Sequence, residues 1–62
     1  MSERRDIIFE LVRVRHVIKV SAVDPATGTE VSIVGDPAVG ESALKRLAMR
    51  KLEYVLARRK TR

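Results

Sequence analysis

The chain has 62 residues, no cysteine and one histidine, and its 13 basic and 8 acidic side chains leave a net charge of +5. This length corresponds to a single small domain over residues 1–62, whose core is marginal because only about 60% of the unfolded surface can be buried. The composition excludes disulfides and thiolate metal sites, so a partner chain is the simplest remaining means of stabilising the fold.

Two apolar runs near the start of the chain predict the first two strands. Residues 6–14 (DIIFELVRV) are rich in isoleucine, phenylalanine and valine, which strands favour. Residues 17–23 (VIKVSAV) predict a second strand, with the chain reversing within the polar interruption at residues 13–16. The alternative is one long bent strand over residues 6–23.

Residues 24–28 (DPATG) are the strongest turn signal in the chain. Proline presets φ at the second position of a turn, and glycine accepts a positive φ at its exit. Residues 29–35 (TEVSIVG) then return as a third strand. Because short connections join antiparallel neighbours, we predict a three-stranded antiparallel meander.

A long amphipathic helix is predicted over residues 41–59, after a loose turn at residues 37–40. Apolar side chains recur there with a period of 3.6 residues and predict a stripe that packs on the sheet. The stripe consists of Leu44, Leu47, Ala48, Leu52 and Val55. The predicted fold class is therefore α+β, a three-stranded antiparallel meander followed by one C-terminal helix on one face (βββα). We expect the polar residues 1–5 and 60–62 to be disordered.

The sheet and the helix both carry more apolar surface than one small core needs. One helix covers only one face of a sheet, and an exposed apolar face usually marks an interaction surface. We therefore expect a homodimer, and the candidate self-association residues are Ile8, Val12, Val17, Val34, Met49 and Leu56. The alternative is that such side chains are strand formers in half-exposed positions.

Positive charge is concentrated in the last third of the chain. Residues 1–40 carry five basic and six acidic side chains, whereas residues 41–62 carry eight basic and two acidic ones. A one-sided basic helix suits an anionic partner, such as nucleic acid or an acidic protein. The candidate phosphate contacts are Lys45, Arg46, Arg50, Arg58, Arg59 and Lys60. The alternative is an ordinary solvated helix face.

No arrangement of residues predicts catalysis, a cofactor or a metal. Residues 35–42 (GDPAVGES) have the glycine spacing of a phosphate-binding loop, but Glu41 stands where such a loop needs a lysine. His16 has no nucleophile or carboxylate at a recognisable spacing. We expect a protein that is not an enzyme and has no cofactor or small-molecule substrate. Since we find no signal-peptide pattern and no apolar run near the roughly 18 residues of a membrane span, we expect a cytoplasmic protein with no membrane partner.

Two family resemblances rest on these motifs. Residues 19–35 (KVSAVDPATGTEVSIVG) and 51–56 (KLEYVL) resemble a family of uncharacterised small alphaproteobacterial proteins with the pattern KVSAxDPxTGxEVSIVG…KLEYVL. That resemblance implies a three-strand-plus-helix domain of unknown function. More weakly, three strands followed by a helix are similar to the latter part of a double-stranded-RNA-binding domain. That family has a lysine cluster at the start of this helix, whereas this chain has residues 41–44 there and only Lys45 is basic. The first helix of that family's fold has no counterpart in this chain.

Two functional hypotheses follow from these features. The first is a small, basic, self-associating interaction module without catalytic activity. The second is a weakly specific nucleic-acid-binding protein that uses the basic helix on phosphates. With Phe9 and Tyr54 as its only aromatic residues, the chain lacks a platform for stacking single-stranded bases.

Overall fold

The structure is a computed structural model that describes residues 6–60, with the backbone but not the side chain of Lys60. In chain order it contains β1 (Ile8–Val14), β2 (Val17–Asp24), β3 (Thr29–Gly35), one 3₁₀ turn (Pro37–Val39) and α1 (Glu41–Lys60). The strands form one antiparallel sheet in the order β1-β2-β3, and α1 packs on one of its faces. The predicted βββα fold is confirmed. The disorder expected for residues 1–5 and 60–62 concerns residues outside the described ones, apart from the backbone of Lys60.

A two-residue turn joins β1 to β2, so the alternative of one long bent strand is excluded. Val14 lies directly opposite Val17, and the pairing continues without a bulge along both strands. Arg15 and His16 form the turn, and Arg15 has a φ of 56°. Tight two-residue hairpins require a positive φ at their first central residue, which explains this left-handed arginine.

Asp24 organises the turn between β2 and β3. Its Oδ1 accepts a hydrogen bond from the backbone N–H of Ala26 at 3.0 Å, and its carbonyl oxygen accepts one from Gly28 at 2.8 Å. Gly28 has a φ of 73°, which glycine adopts without steric cost. The carboxylate of Asp24 is buried, so its role is to close this turn.

The core lies between α1 and the inner face of the sheet. Its buried apolar side chains are Ile18, Val20, Ala22, Val31, Leu44, Ala48 and Leu52. The three helical members are spaced four residues apart and form one ridge along α1. Leu47 is 48% exposed, so its placement in the stripe was wrong. It lies about 100° around the helix from Ala48, on one side of the ridge, whereas Met49 and Leu56 on the other side pack against the core.

The helix is not centred on the sheet. It packs mainly over β2 and β3, and β1 lies at an edge. Ile7, Phe9 and Leu11, on or just before β1, are therefore only half-buried against the core. This displacement leaves a groove between α1 and β1.

Candidate functional site

No element among residues 6–60 packs on the face of the sheet opposite α1, here termed the open face. Its side chains are those of Ile8, Glu10, Val12, Val14, Val17, Lys19, Ser21, Val23, Glu30, Ser32 and Val34. Five of its apolar side chains are exposed, from Val17 at 37% to Val34 at 63%. Four predicted self-association residues, Ile8, Val12, Val17 and Val34, are brought together here.

The strand register gathers most of these side chains at one end of the open face. Val12 lies opposite Lys19, and Lys19 lies opposite Val34, so the three form one row across the sheet. Val14 and Val17 pair at the adjoining hairpin. Val12, Val14, Val17 and Val34, grouped around Lys19, are termed the open-face cluster. The sequence prediction omitted Val14 from the interaction residues, although its alternation with Val12 places it on this face.

A polar row separates the open-face cluster from the far end of the sheet. Glu10 lies opposite Ser21, and Ser21 lies opposite Ser32. Beyond that row, Ile8 pairs with Val23. The open face is therefore apolar at both ends and polar across its middle, and it carries charges of both signs.

Met49 and Leu56 were also predicted to mediate self-association. Both are half-buried and pack against the core rather than standing free on the outer side of α1. Their predicted role stays a prediction, and the exposed apolar surface belongs mainly to the sheet.

The predicted phosphate contacts lie on different sides of α1. Arg46 and Arg50 are exposed, and neither forms an ion pair with an acidic side chain among residues 6–59. Lys45 lies on the β1 side, with its Nζ 6.0 Å from the centre of the Phe9 ring. The aromatic face attracts this cation and holds it near the sheet.

Near the end of α1, two arginines are engaged within the chain. Arg59 Nη1 donates a hydrogen bond to Thr29 Oγ1 at 2.6 Å. Arg58 Nη1 donates to the hydroxyl oxygen of Tyr54 at 3.1 Å, and its guanidinium carbon lies 5.5 Å from the ring centre. The side chain of Lys60 lies outside the described part of the structure. The predicted basic set is therefore not one continuous face.

The displacement of α1 creates an open depression of about 480 Å³ between α1 and β1, here termed the β1 groove. Its lining residues are Ile7, Phe9, Ser42, Lys45, Arg46 and Met49. The apolar members are half-buried and form the floor, whereas both cations are exposed at the rim. The sequence did not predict this groove. The apolar spacing assigns the floor residues of the groove to the core, and it does not show over which strands the helix packs.

In the segment with phosphate-loop spacing, the backbone N–H groups of residues 38–40 already donate hydrogen bonds within that segment. The backbone N–H of Ala38 donates to Asp36 Oδ1 at 2.9 Å, and that of Val39 donates to the Asp36 carbonyl at 2.9 Å. The N–H of Gly40 donates to the Pro37 carbonyl at 3.1 Å. Because a phosphate-binding loop needs such donors free, this junction starts a helix and does not cradle an anion.

In the part of the chain that the structure describes, the remaining polar side chains form no recognisable catalytic or metal centre. His16 is exposed at the β1–β2 turn. Within residues 6–60, no three histidine, cysteine, aspartate or glutamate side chains converge as metal ligands would. In the same residues, no helix combines the length and the apolarity needed to cross a bilayer.

Comparison with known families finds a match over most of the chain. A model for a domain of unknown function, DUF6898, matches residues 4–59. No curated protein and no solved structure matches the chain. The predicted membership of a family of unknown function is thereby confirmed, whereas the alphaproteobacterial origin and the detailed motif stay predictions. Since the match covers both the sheet and nearly all of α1, the chain belongs to the DUF6898 family.

Proposed function

We propose that the protein is a small basic interaction module, without catalytic activity, that forms a homodimer through the open face. The observation that carries this proposal is the exposure of five valine and isoleucine side chains there, against seven buried apolar residues in the whole core. An apolar surface of that relative size usually marks an interface. A core this small also gains most from a second chain.

The charges on the open face favour a second copy as the partner. Lys19 lies within the open-face cluster, whereas Glu10 lies in the polar row and Glu30 at the far end. In a two-fold interface every contact occurs twice. A copy rotated by 180° can therefore place Lys19 of each subunit against Glu10 of the other.

The size of the open face sets the expected affinity. At usual strand spacings its three strands of seven or eight residues project about 24 by 14 Å, or about 340 Å². A standard interface buries about 800 Å² on each partner. Side chains add area beyond this flat projection, but the face is still small, and we expect a dissociation constant of about 10–300 μM.

Sedimentation equilibrium of the full chain at about 10–300 μM, a range that brackets such an affinity, tests the proposal. The average mass should rise with concentration toward twice the 7.0 kDa of one chain. Val12→Glu and Val34→Glu each place a charge in the open-face cluster, and each should shift the equilibrium toward monomer by about tenfold or more.

Val39 provides a matched control, because it is a valine with 53% exposure in the 3₁₀ turn, away from the open face. Val39→Glu should leave the association constant unchanged within about twofold. A wild-type chain that stays monomeric at about 300 μM contradicts the proposal. Equal weakening by Val39→Glu and Val12→Glu would show that added charge, rather than the open face, controls association.

A second candidate function is weakly specific binding of a nucleic-acid duplex. It is supported by Arg46 and Arg50, which lie one turn apart on α1, are exposed, and have no acidic partner among residues 6–59. When exposed cations bind phosphates, they release counterions from the duplex, and this release favours binding. The engagement of Arg58 and Arg59 within the chain limits the number of such contacts.

A further inference from the structure

We propose that the β1 groove and the outer edge of β1, which pairs with no strand among residues 6–60, together bind an extended acidic segment of a partner protein, which adds to the sheet as a fourth strand. This surface adjoins the open-face cluster along β1. The proposal rests on three features: a strand edge with few of the usual protections, an apolar floor, and a pair of cations on the rim.

The edge of β1 lacks several of the usual protections against pairing with another chain. Its sequence, IFELVRV, contains no proline, glycine or lysine, and the strand pairs with β2 without a bulge. These features protect many natural edge strands, whereas the protection that β1 does carry is limited to its two charged side chains, Glu10 and Arg13. At the opposite edge, Lys51 Nζ donates a hydrogen bond to the Ser32 carbonyl at 3.0 Å, so a helix side chain already engages the β3 backbone. A further strand therefore fits best beside β1.

The rim of the β1 groove selects for acidic side chains. Lys45 and Arg46 line it, and neither forms an ion pair with an acidic residue among residues 6–59. The attraction between these exposed cations and a carboxylate is modest and is screened by salt, and the floor formed by Ile7, Phe9 and Met49 adds apolar contact area. The methylene groups of glutamate can pack on that floor while its carboxylate reaches the rim.

The alternation of strand side chains defines the rest of the partner segment. In a strand added beside β1, every second side chain faces α1 and the others extend the open face next to Ile8, Val12 and Val14. Those three side chains are exposed and apolar. The segment that fits thus carries acidic residues on one face and apolar residues on the other, over about the seven residues of β1.

Two other occupants match this surface less well. A second copy of β1 would present Ile7, Phe9, Leu11 and Arg13 toward the groove, and these include no acid for Lys45 and Arg46. Nucleic acid could contact both cations, but it would use neither the backbone edge nor the apolar floor. An acidic peptide strand uses all three features.

The test measures binding of three fluorescein-labelled heptapeptides to the full chain by fluorescence anisotropy. The first is Val-Glu-Val-Glu-Val-Glu-Val. The second has lysine in place of each glutamate. The third keeps all the glutamates but has proline in place of the third and fifth residues, which removes backbone donors needed for strand pairing. We expect the first peptide to bind with a dissociation constant below about 100 μM, and the other two at least about tenfold more weakly.

The chain offers a composition-matched pair of variants. Arg46→Glu reverses one charge on the rim, whereas Arg50→Glu makes the same change in composition one turn further along α1, outside the lining of the β1 groove. We expect the rim variant to weaken binding of the glutamate peptide by about tenfold or more, and the control variant by less than about threefold. The neutral variant Lys45→Gln/Arg46→Gln should also weaken binding of the glutamate peptide. It replaces the charge-reversed variant as the test if charge reversal impairs folding. Amide shifts in a ¹⁵N–¹H correlation spectrum should concentrate in β1 and in α1 near Lys45.

Several outcomes would overturn the proposal. The first is that the glutamate peptide does not bind at about 1 mM. The second is that the lysine or proline peptide binds as tightly as the glutamate peptide. The third is that the rim and control variants weaken binding equally. Amide shifts confined to β3 would place the strand at the wrong edge. Binding of a DNA duplex in competition with the glutamate peptide, and with equal or greater affinity, would assign the rim to nucleic acid instead.

Discussion

The side chain of Leu44 occupies the space in which a side chain at Gly35 would lie. Gly35 is the last residue of β3, and Leu44 is the first buried residue of α1, with 2% exposure. Glycine in a strand often marks such a close approach. The missing Cβ lets the start of the helix pack directly against the end of the strand.

This contact predicts that Gly35→Ala lowers the free energy of unfolding by about 1–3 kcal/mol, as overpacking does in other cores. Leu44→Val removes the methyl groups that collide with the new Cβ, at a cost of about 1 kcal/mol on its own. In the double variant the two losses should be less than additive. Urea denaturation of the four proteins measures this coupling, and strictly additive losses would show that the two sites do not interact.

Leu47 and Leu52 give a second prediction, because the sequence placed both in the apolar stripe. Leu52 is fully buried, whereas Leu47 is 48% exposed. We expect Leu52→Ala to cost about 2–5 kcal/mol of unfolding free energy, and Leu47→Ala to cost less than about 0.5 kcal/mol. The urea midpoints of unfolding of the two variants measure this difference, because both carry the same leucine-to-alanine substitution in the same helix. Similar losses at both sites would contradict the position of α1.

Arg59 and Thr29 give a third prediction. The guanidinium of Arg59 donates to Thr29 Oγ1 at 2.6 Å and joins the last turns of α1 to the start of β3. Thr29 Oγ1 also accepts from the hydroxyl of Thr27 at 2.8 Å, so the loss of Arg59 does not leave it without a partner.

We therefore expect Arg59→Ala to cost about 0.5–1.5 kcal/mol and to speed amide hydrogen exchange in the last turns of α1. Arg50→Ala, at an exposed position on the outer side of the helix, is the control and should change stability by less than about 0.5 kcal/mol. Unchanged exchange near Arg59 would mean that this hydrogen bond does not hold the helix end.

The distribution of cations gives a fourth prediction, for duplex DNA binding. If only Arg46 and Arg50 contact phosphates, the slope of log K against log salt should be about −1.8, whereas six contacts would give about −5. Arg46→Gln/Arg50→Gln should abolish the salt dependence. Fluorescence anisotropy at about 50–200 mM salt measures the slope. A steep slope that survives in this double variant would show that other cations carry the binding.

The strands, the turn and the helix start were predictable because their signals are local. The predicted third strand matches β3 (Thr29–Gly35), and the helix begins at Glu41 as expected. The second strand continues one residue further, to Asp24, and the first begins at Ile8 rather than at residue 6. The turn over residues 24–28 closes through the aspartate and glycine chemistry that its sequence indicates.

The candidate sites were only partly predictable. Alternation along the strands correctly grouped Val12 and Val34 on the face opposite the helix. In contrast, charge counting treated the basic residues as one set. The structure separates them: Lys45 lies beside Phe9, Arg59 is bonded to Thr29, and Arg46 remains exposed.

By itself, the sequence determined which residues form strands and helix, which side of each strand is apolar, and where the positive charge is concentrated. These properties depend on backbone preferences and side-chain periodicity within a few residues. Only the tertiary structure decided that α1 lies over β2 and β3, that Leu47 stays exposed, and that a groove opens beside β1. Those outcomes depend on how side chains distant in sequence pack together, as Leu44 does against Gly35, and no local pattern specifies such packing.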